Sequence, residues 1–339
     1  MKNIFHLILS FTLFSCVDAI VVDNVNNANL LIVEGRISSE VGPHKIRLSR
    51  SANYGDVFSG EITGEPGASI FIRDNLGNTE KLNEDGSGYY STSDQFQGIV
   101  DREYTLFIIT KDKQEYQSYP EKLSKVPAIE KLFYEFTELP SDGEPISGIN
   151  IYSQFSDDIN SSNFYKWEVG GTFLFKAHPE LYMPPRSPVA VPKDCCSECY
   201  RSELINNISI SKDRFYNGNI SSQKVQFVLD DGARFYGKYA AFVAQMSISK
   251  DAFNFFNLLE NQLSIQGNIF DPPPAQIRGN IINMTNPEED VVGFFYASDI
   301  TRDTLFVKGV DFPFRKSPAI IPDDCREVNG ASTTVPDFW

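Results

Sequence analysis

The chain has 339 residues and carries 45 acidic against 30 basic side chains, a formal charge of -15 at pH 7. That excess repels phosphate backbones and anionic headgroups, which argues against nucleic acid or an anionic membrane surface as a partner. Aromatic residues make up 13% of the chain, with 27 Phe and 15 Tyr, and charged residues only 22%; this balance favours sheets, where aromatic and branched side chains pack on a pleated face.

Lys2 precedes an apolar run from Ile4 to Phe14, and Ser15-Cys16 follows at once. The run is shorter than the roughly 20 residues a membrane-spanning helix needs, so it reads as an export signal. A small residue before the cleavage point and a thiol directly after it suit lipoprotein processing. Cys16 then takes a diacylglycerol, and cleavage frees its amine for a further acyl chain. Two chains give stable anchoring where one is marginal. The expected organisation begins with a signal peptide over 1–15 and a lipidated, Asp- and Asn-rich tether over 16–27, attached to the bilayer through acylated Cys16. No second apolar run approaches the length of a membrane span.

From Leu31 to Ile37 a strand pattern begins, and Lys45 to Ser49 alternates with period two, as a half-buried strand does. Ala68 to Asp74 is the next strand, turned by Asn75-Leu76-Gly77-Asn78 into Thr79 to Leu82. Asp85-Gly86-Ser87-Gly88-Tyr89-Tyr90 is a glycine turn into an aromatic strand, and Glu103 to Ile109 alternates again. Short strands with regular turn signals predict an Ig-like antiparallel sandwich over 28–125.

Lys125-Val126-Pro127 marks the expected boundary, since proline restricts itself and the residue before it. A larger, mainly antiparallel β domain is expected over 128–339, so the fold class is all-β with one packed helix. Its strands are read at Ile129 to Leu139, Ile149 to Phe155, Phe164 to Phe175, Glu203 to Ile210, Gln223 to Leu229 and Phe235 to Ser249. The helix spans 251–263, capped by Ser249, with Phe253, Phe256, Leu259 and Leu263 recurring at helical spacing and Phe255 and Leu258 widening the face. Consecutive prolines at 272–274 stiffen the next segment, Val291 to Ser298 is a strongly apolar strand, and Asp303 to Val307 is the last long one.

Between His178 and Cys199 the periodicity stops, and prolines and cysteines crowd a long surface loop. Loops of this length are uncommon unless functional or crosslinked. Tyr182, Met183 and Arg186 combine apolar contact area with a guanidinium, the residue types that interfaces favour, so the loop is the candidate interaction surface. Cys195, Cys196, Cys199 and Cys325 form an even set in an oxidising compartment and are the disulfide candidates. A Cys195-Cys196 bond is disfavoured because neighbouring alpha carbons sit about 3.8 Å apart, below the usual span of a disulfide. One short loop and one long bridge to Cys325 are expected instead. A four-thiolate zinc site using Cys196 and Cys199 is disfavoured by export and by the isolation of Cys325.

Catalytic signatures are missing. The sequence has no Gly-x-Ser-x-Gly elbow, no phosphate-cradling loop and no His-Glu-x-x-His helix. His44 and His178 are the only histidines beyond the signal, too few for a triad or a histidine metal cluster. Asp157-Asp158 and Asp230-Asp231-Gly232 read as turns, and Asp85 with Ser87 lacks the spacing of a calcium loop. No cofactor and no metal are expected.

The Cys16 signal, the opening strand at Leu31 to Ile37, the helix at 251–263, the Gly267 to Asn280 segment and Gly293-Phe294-Phe295-Tyr296-Ala297-Ser298 together resemble a Bacteroidota lipoprotein family. It is catalogued as domain of unknown function number 4249. Gly35-Arg36-Ile37, the Asp85 to Tyr90 turn and Tyr104-Thr105-Leu106 resemble the small sandwich of carboxypeptidase regulatory domains and transthyretin. The resemblance implies a neighbourhood: members are often encoded beside TonB-dependent outer-membrane receptors. It brings no catalytic residues. The expected function is that of a lipid-anchored accessory subunit of such a receptor barrel, acting in protein interaction or substrate capture rather than catalysis. A stand-alone glycan or peptide binder is the first alternative and an uncharacterised hydrolase the second.

Overall fold

A computed structural model describes residues 29–51, 63–141, 143, 145–159, 163–213, 218–264, 277–311, 316 and 322–339. The signal, Cys16 and the proline run at 272–274 lie outside the described residues. The strands are β1 (Leu31–Ser38), β2 (Lys45–Arg50), β3 (Thr63–Gly64), β4 (Ser69–Asp74), β5 (Thr79–Lys81) and β6 (Asn83–Gly86). β7 (Tyr89–Ser91), β8 (Glu103–Ile109), β9 (Glu115–Ser118) and β10 (Glu121–Lys122) follow. Then come β11 (Lys131–Leu139), β12 (Ile146–Ser156), β13 (Phe164–Lys176), β14 (Glu198–Lys212), β15 (Ile220–Leu229) and β16 (Lys238–Ile248). Helix α1 (Lys250–Leu263) precedes β17 (Ile281–Asn283), β18 (Val292–Ser298), β19 (Ile300–Lys308) and β20 (Ala331–Ser332). The all-β reading with one packed helix is the architecture found.

The first unit is a sandwich. One sheet runs β18-β1-β2-β7-β6 with β3 on β2, and the other runs β17-β9-β8-β4-β5 with β10 on β8. Alternate residues face inward, as the pleat requires: Leu31, Val33 and Ile37, then Ile46 and Leu48, meet Ile70, Ile72, Leu106 and Ile108. The β4–β5 hairpin closes where the sequence placed it, because Asp74 Oδ1 accepts from the backbone N–H of Leu76 at 3.0 Å and of Asn78 at 2.8 Å.

The linear division near residue 125 needs correction, because β17 and β18 come from beyond residue 280 and complete this first sandwich. β18 lies parallel to β1, from Ile32 opposite Val292 to Ser38 opposite Ser298. The reason is legible in composition: an unbroken apolar run is stable only with both faces covered. Phe295 and Ala297 enter the sandwich core, while Phe294 and Tyr296 face α1. Gly293 permits the approach, with φ +98° and space that a Cβ would fill 2.0 Å from the Val33 carbonyl oxygen.

After Asp299 the chain continues as β19, the edge of a second sheet ordered β19-β16-β13-β14-β20, so one strand path crosses both units. Opposite lies β11-β12-β15. Between them Ile149, Ile151 and Phe155 pack on Tyr165, Trp167, Phe173 and Tyr239. The buried Gln245 is paired: its Oε1 accepts from Trp167 Nε1 at 2.9 Å and from Ser153 Oγ at 2.8 Å.

Ser249 caps α1 as expected, its hydroxyl accepting from Ala252 N at 3.0 Å. The buried stripe is Ala252 and Phe255, with Phe253, Phe256 and Leu259 at its margins, while Leu258 and Leu263 are exposed. Helical phase explains the shift, since the helix meets β18 on one side and β13–β14 on the other. Phe255 lies 5.0 Å from Phe294 and Phe256 lies 5.4 Å from Tyr296, ring centre to ring centre.

The two units are joined by charged and polar contacts. Arg36 of β1 reaches Glu168 of β13 at 2.5 Å, and Lys166 reaches the same oxygen at 2.7 Å. Burial works against charge on Glu168, yet Lys166 and Arg36 together hold its carboxyl down to about 2. Arg302 of β19 grips Glu40 with two bonds of 2.6 and 2.8 Å. Asp299, between β18 and β19, accepts from Ser39 Oγ and from the Val126 N–H, the latter at 2.9 Å.

Candidate functional site

β13 and β14 pair down to Lys176 opposite Glu198, so residues 177–197 leave the end of a hairpin as one excursion. Its feet are tied. Ala177 N donates to Ser197 O at 2.7 Å, and His178 N donates to Pro322 O at 2.8 Å. A short 3-10 turn over Pro179–Leu181 follows, and the loop doubles back on itself: Val191 N donates to Tyr182 O at 2.8 Å and Lys193 N to Pro179 O at 3.0 Å. Lys193 is the clamp. Its ammonium lies 4.2 Å from the centre of the Tyr182 ring and 2.8 Å from Asp323 Oδ2.

A disulfide joins the buried Cys199 to the buried Cys325 across a sequence separation of 126, and Cys325 N donates to Cys196 O at 3.1 Å. This is a long bridge to Cys325. The other two cysteines, Cys195 and Cys196, stand side by side at the end of the loop. The reason for the long bridge lies in strand position. Cys199 sits on the inward face of β14, where the short 3-10 turn at Cys325–Glu327 meets it.

Of the predicted interaction residues, Tyr182 is half-buried under Lys193, Met183 stands out in solvent, and Arg186 is exposed at φ +70° in the turn closed by Ser187 N to Pro184 O. The sequence reading missed the apolar neighbours Leu181, Val189 and Val191, which join Met183 on the surface. Leu181, Met183, Val189 and Val191 are 63%, 62%, 66% and 52% exposed. The signal was available as apolar residues in a stretch without periodicity, which have no core face to occupy.

The remaining candidates have local roles. His178 Nδ1 pairs with Glu180 Oε1 at 2.6 Å. His44 is buried edge-on to Phe96, and burial lowers its pKa. Asp230 and Asp231 accept from the N–H groups of Gly232 and Ala233, as turn residues do. Asp85 takes the Ser91 hydroxyl. Among the described residues no group of three or more His, Cys, Asp and Glu side chains is placed to hold a metal ion, and no helix is long and apolar enough to cross a membrane.

A search of curated proteins finds no sequence match. Among solved structures, the crystal structure of a DUF4785 family protein from Legionella pneumophila is similar over 63% of this chain and 51% of that one, with 10% identity and a TM-score of 0.19. The chain thus spans about half the length of that protein, and so loose a likeness does not define a shared fold. The profile of DUF4249, a domain of unknown function, matches residues 17–304, from just after Cys16 into β19, and the chain belongs to that family.

Proposed function

We propose that the chain is an outer-membrane lipoprotein, held through acylated Cys16, that serves as an accessory subunit of a TonB-dependent receptor barrel in protein docking and substrate capture. The observation that carries docking is the set of Leu181, Met183, Val189 and Val191, each more than half exposed on a loop tied at both feet. An ordered loop loses little conformational freedom on binding, so its apolar area converts to affinity at lower cost. Arg186 and Tyr182 add the residue types that interfaces favour. The lipid attachment rests on the signal ending at Cys16, and the partner class rests on the family resemblance.

The test is purification of the tagged, lipidated protein from native outer membranes in mild detergent, with stoichiometry from intact-complex mass. A roughly equimolar TonB-dependent barrel is the expected companion. Recovery of the protein alone across several mild detergents would overturn the subunit reading and favour a stand-alone binder. A variant carrying Leu181→Ser, Met183→Ser and Val189→Ser alters exposed positions only, so it should fold normally and lose the barrel. Undiminished retention would remove the loop from the interface.

A further inference from the structure

The outward face of the second sheet is covered by the chain's own tail. Alternation along β16 turns Lys238, Ala240 and Phe242 away from the core that Tyr239, Ala241 and Val243 enter. On β19 Phe306 stands opposite Ala240, and on β14 Tyr200 follows the inward Cys199. Phe338 meets Phe242 edge-on at 4.8 Å, and Trp339 meets Tyr200 edge-on at 5.0 Å, ring centre to ring centre. The Lys238 ammonium lies 4.2 Å from the centre of the Trp339 ring and 5.1 Å from that of Phe306. Ala240, between Lys238 and Phe242 along the strand, is fully buried as the floor of this trough.

The tail is fixed at its root and lightly held at its tip. The Cys199–Cys325 disulfide and the pairing of β20 with Tyr200 and Arg201 hold the root at the β14 edge. From there residues 333–339 cross β14 and β13 to reach β16, about 14 Å at the ordinary strand spacing. Thr334 N donates to Ser332 Oγ at 3.1 Å and Trp339 N to Pro336 O at 3.0 Å, so these bonds stay within the tail. Among the described residues no hydrogen bond or ion pair ties the tip to the sheet; its rings do. The core of the second unit takes in Val328 and Ala331 but not Val335, Phe338 or Trp339, and Phe338 stays 44% exposed.

Such a surface selects rings rather than backbone. Two adjacent aromatic side chains fill it, one edge-on to Phe242 and the other against a cation and the Tyr200 ring. We propose that this face is a binding site for a partner polypeptide carrying adjacent Phe and Trp residues, and that residues 333–339 occupy it as a displaceable strap. The tail shows which chemistry the face accepts. Its anchored root brings it back, since a tether of a few residues keeps the tip at an effective concentration on the order of 1 mM. A partner's segment therefore enters only by outcompeting the strap. None of the contacting residues belongs to the loop at 177–197, so the barrel-docking test and this one fail separately.

The probe is the peptide Ser-Gly-Phe-Trp-Gly-Ser, whose flanks differ from the tail, with Ser-Gly-Ala-Ala-Gly-Ser as control. Calorimetric titration of a chain shortened to end at Thr334 should find saturable binding of the aromatic peptide, with a dissociation constant on the order of 0.1 mM, and none of the control. The full chain should bind about tenfold more weakly because its strap competes, and Lys238→Met in the shortened chain should weaken binding about threefold or more. Displacement is read by fluorine NMR of the full chain labelled with 5-fluorotryptophan. Of its two tryptophans, Trp339 should shift with added peptide while the buried Trp167 should not. Urea midpoints check folding, and Phe338→Ser with Trp339→Ser in the full chain serves where shortening disturbs it. Absence of saturable binding, equal affinity for the control, equal affinity of the shortened and full chains, insensitivity to Lys238→Met or an unmoved Trp339 signal overturns the proposal. So does unfolding of both tail variants, which would make the tail part of the core. A Trp339 signal that moves with protein concentration alone assigns the face to the tail of a second copy and overturns the partner reading.

Discussion

Glu121 sits where the first sandwich, the start of α1 and the strand region after residue 277 come together, and it is 3% exposed. Asn280 Nδ2 donates to its Oε1 at 3.2 Å, while Oε2 is buried without a hydrogen-bond partner. Burial pushes its carboxyl up to about 7, against the hydrogen bonds from Ser249 and Asn280 and with help from the charge of Asp251. The folded protein therefore keeps this proton where the unfolded chain has released it. Its contribution to stability is complete below the ordinary carboxylate value of about 4.5, falls as pH rises, and is gone above about 7. The interval corresponds to about 3 kcal/mol of stability, lost between mildly acid and neutral pH. Glu121→Gln is neutral throughout and retains an acceptor for Asn280. Urea unfolding at pH 4, 6 and 8 should find the variant near wild type in acid and more stable by up to about 3 kcal/mol at pH 8. If the two proteins lose stability in parallel over this range, the carboxyl is not buried in its neutral form and the reasoning fails.

Three further perturbations probe the frame. Replacing both Cys199 and Cys325 by Ser removes a crosslink of sequence separation 126 and should lower stability by about 5 kcal/mol in the chain-entropy picture, read as a lower urea midpoint. Gly293→Ala puts a Cβ 2.0 Å from the Val33 carbonyl oxygen at φ +98°, and should cost about 2 kcal/mol or more while speeding amide exchange along β1 and β18 together. Exchange faster in β18 alone would show that the two strands do not open as one. Arg36→Met leaves Lys166 as the one ion-pair partner of Glu168 among the described residues. Its carboxyl, now held down to about 2, should titrate higher by NMR, with a stability loss of about 1 kcal/mol at neutral pH that shrinks as pH falls, since these groups are partly exposed.

Much of the frame was readable because its causes are local. Alternation at Lys45 to Ser49 and Glu103 to Ile109 needs only the pleat, and the Asp74 to Asn78 turn needs only one carboxylate and a glycine. The cap at Ser249 likewise depends on a hydroxyl three residues from the N–H it accepts. The apolar run at Val291 to Ser298 announced a strand buried on both faces, yet nothing in it says which sheet it joins. Pairing with β1 is decided across more than 250 residues by Gly293 and by the need to cover an open edge.

The candidate sites divide in the same way. Composition and lost periodicity singled out the loop with Tyr182, Met183 and Arg186, and cysteine count announced crosslinks. The inward face of β14 chose Cys325 as the partner of Cys199, and Lys193 with Asp323 set the clamp. The Arg36–Glu168–Lys166 junction left no mark on the sequence, because it unites residues from different strands whose charges look like ordinary solvated ones. By itself the sequence determined which segments extend, turn or coil, since those choices are settled within a few residues. Only the tertiary structure decided which edges meet and which charges face one another, since burial and Coulomb energy depend on neighbours that the chain order does not name.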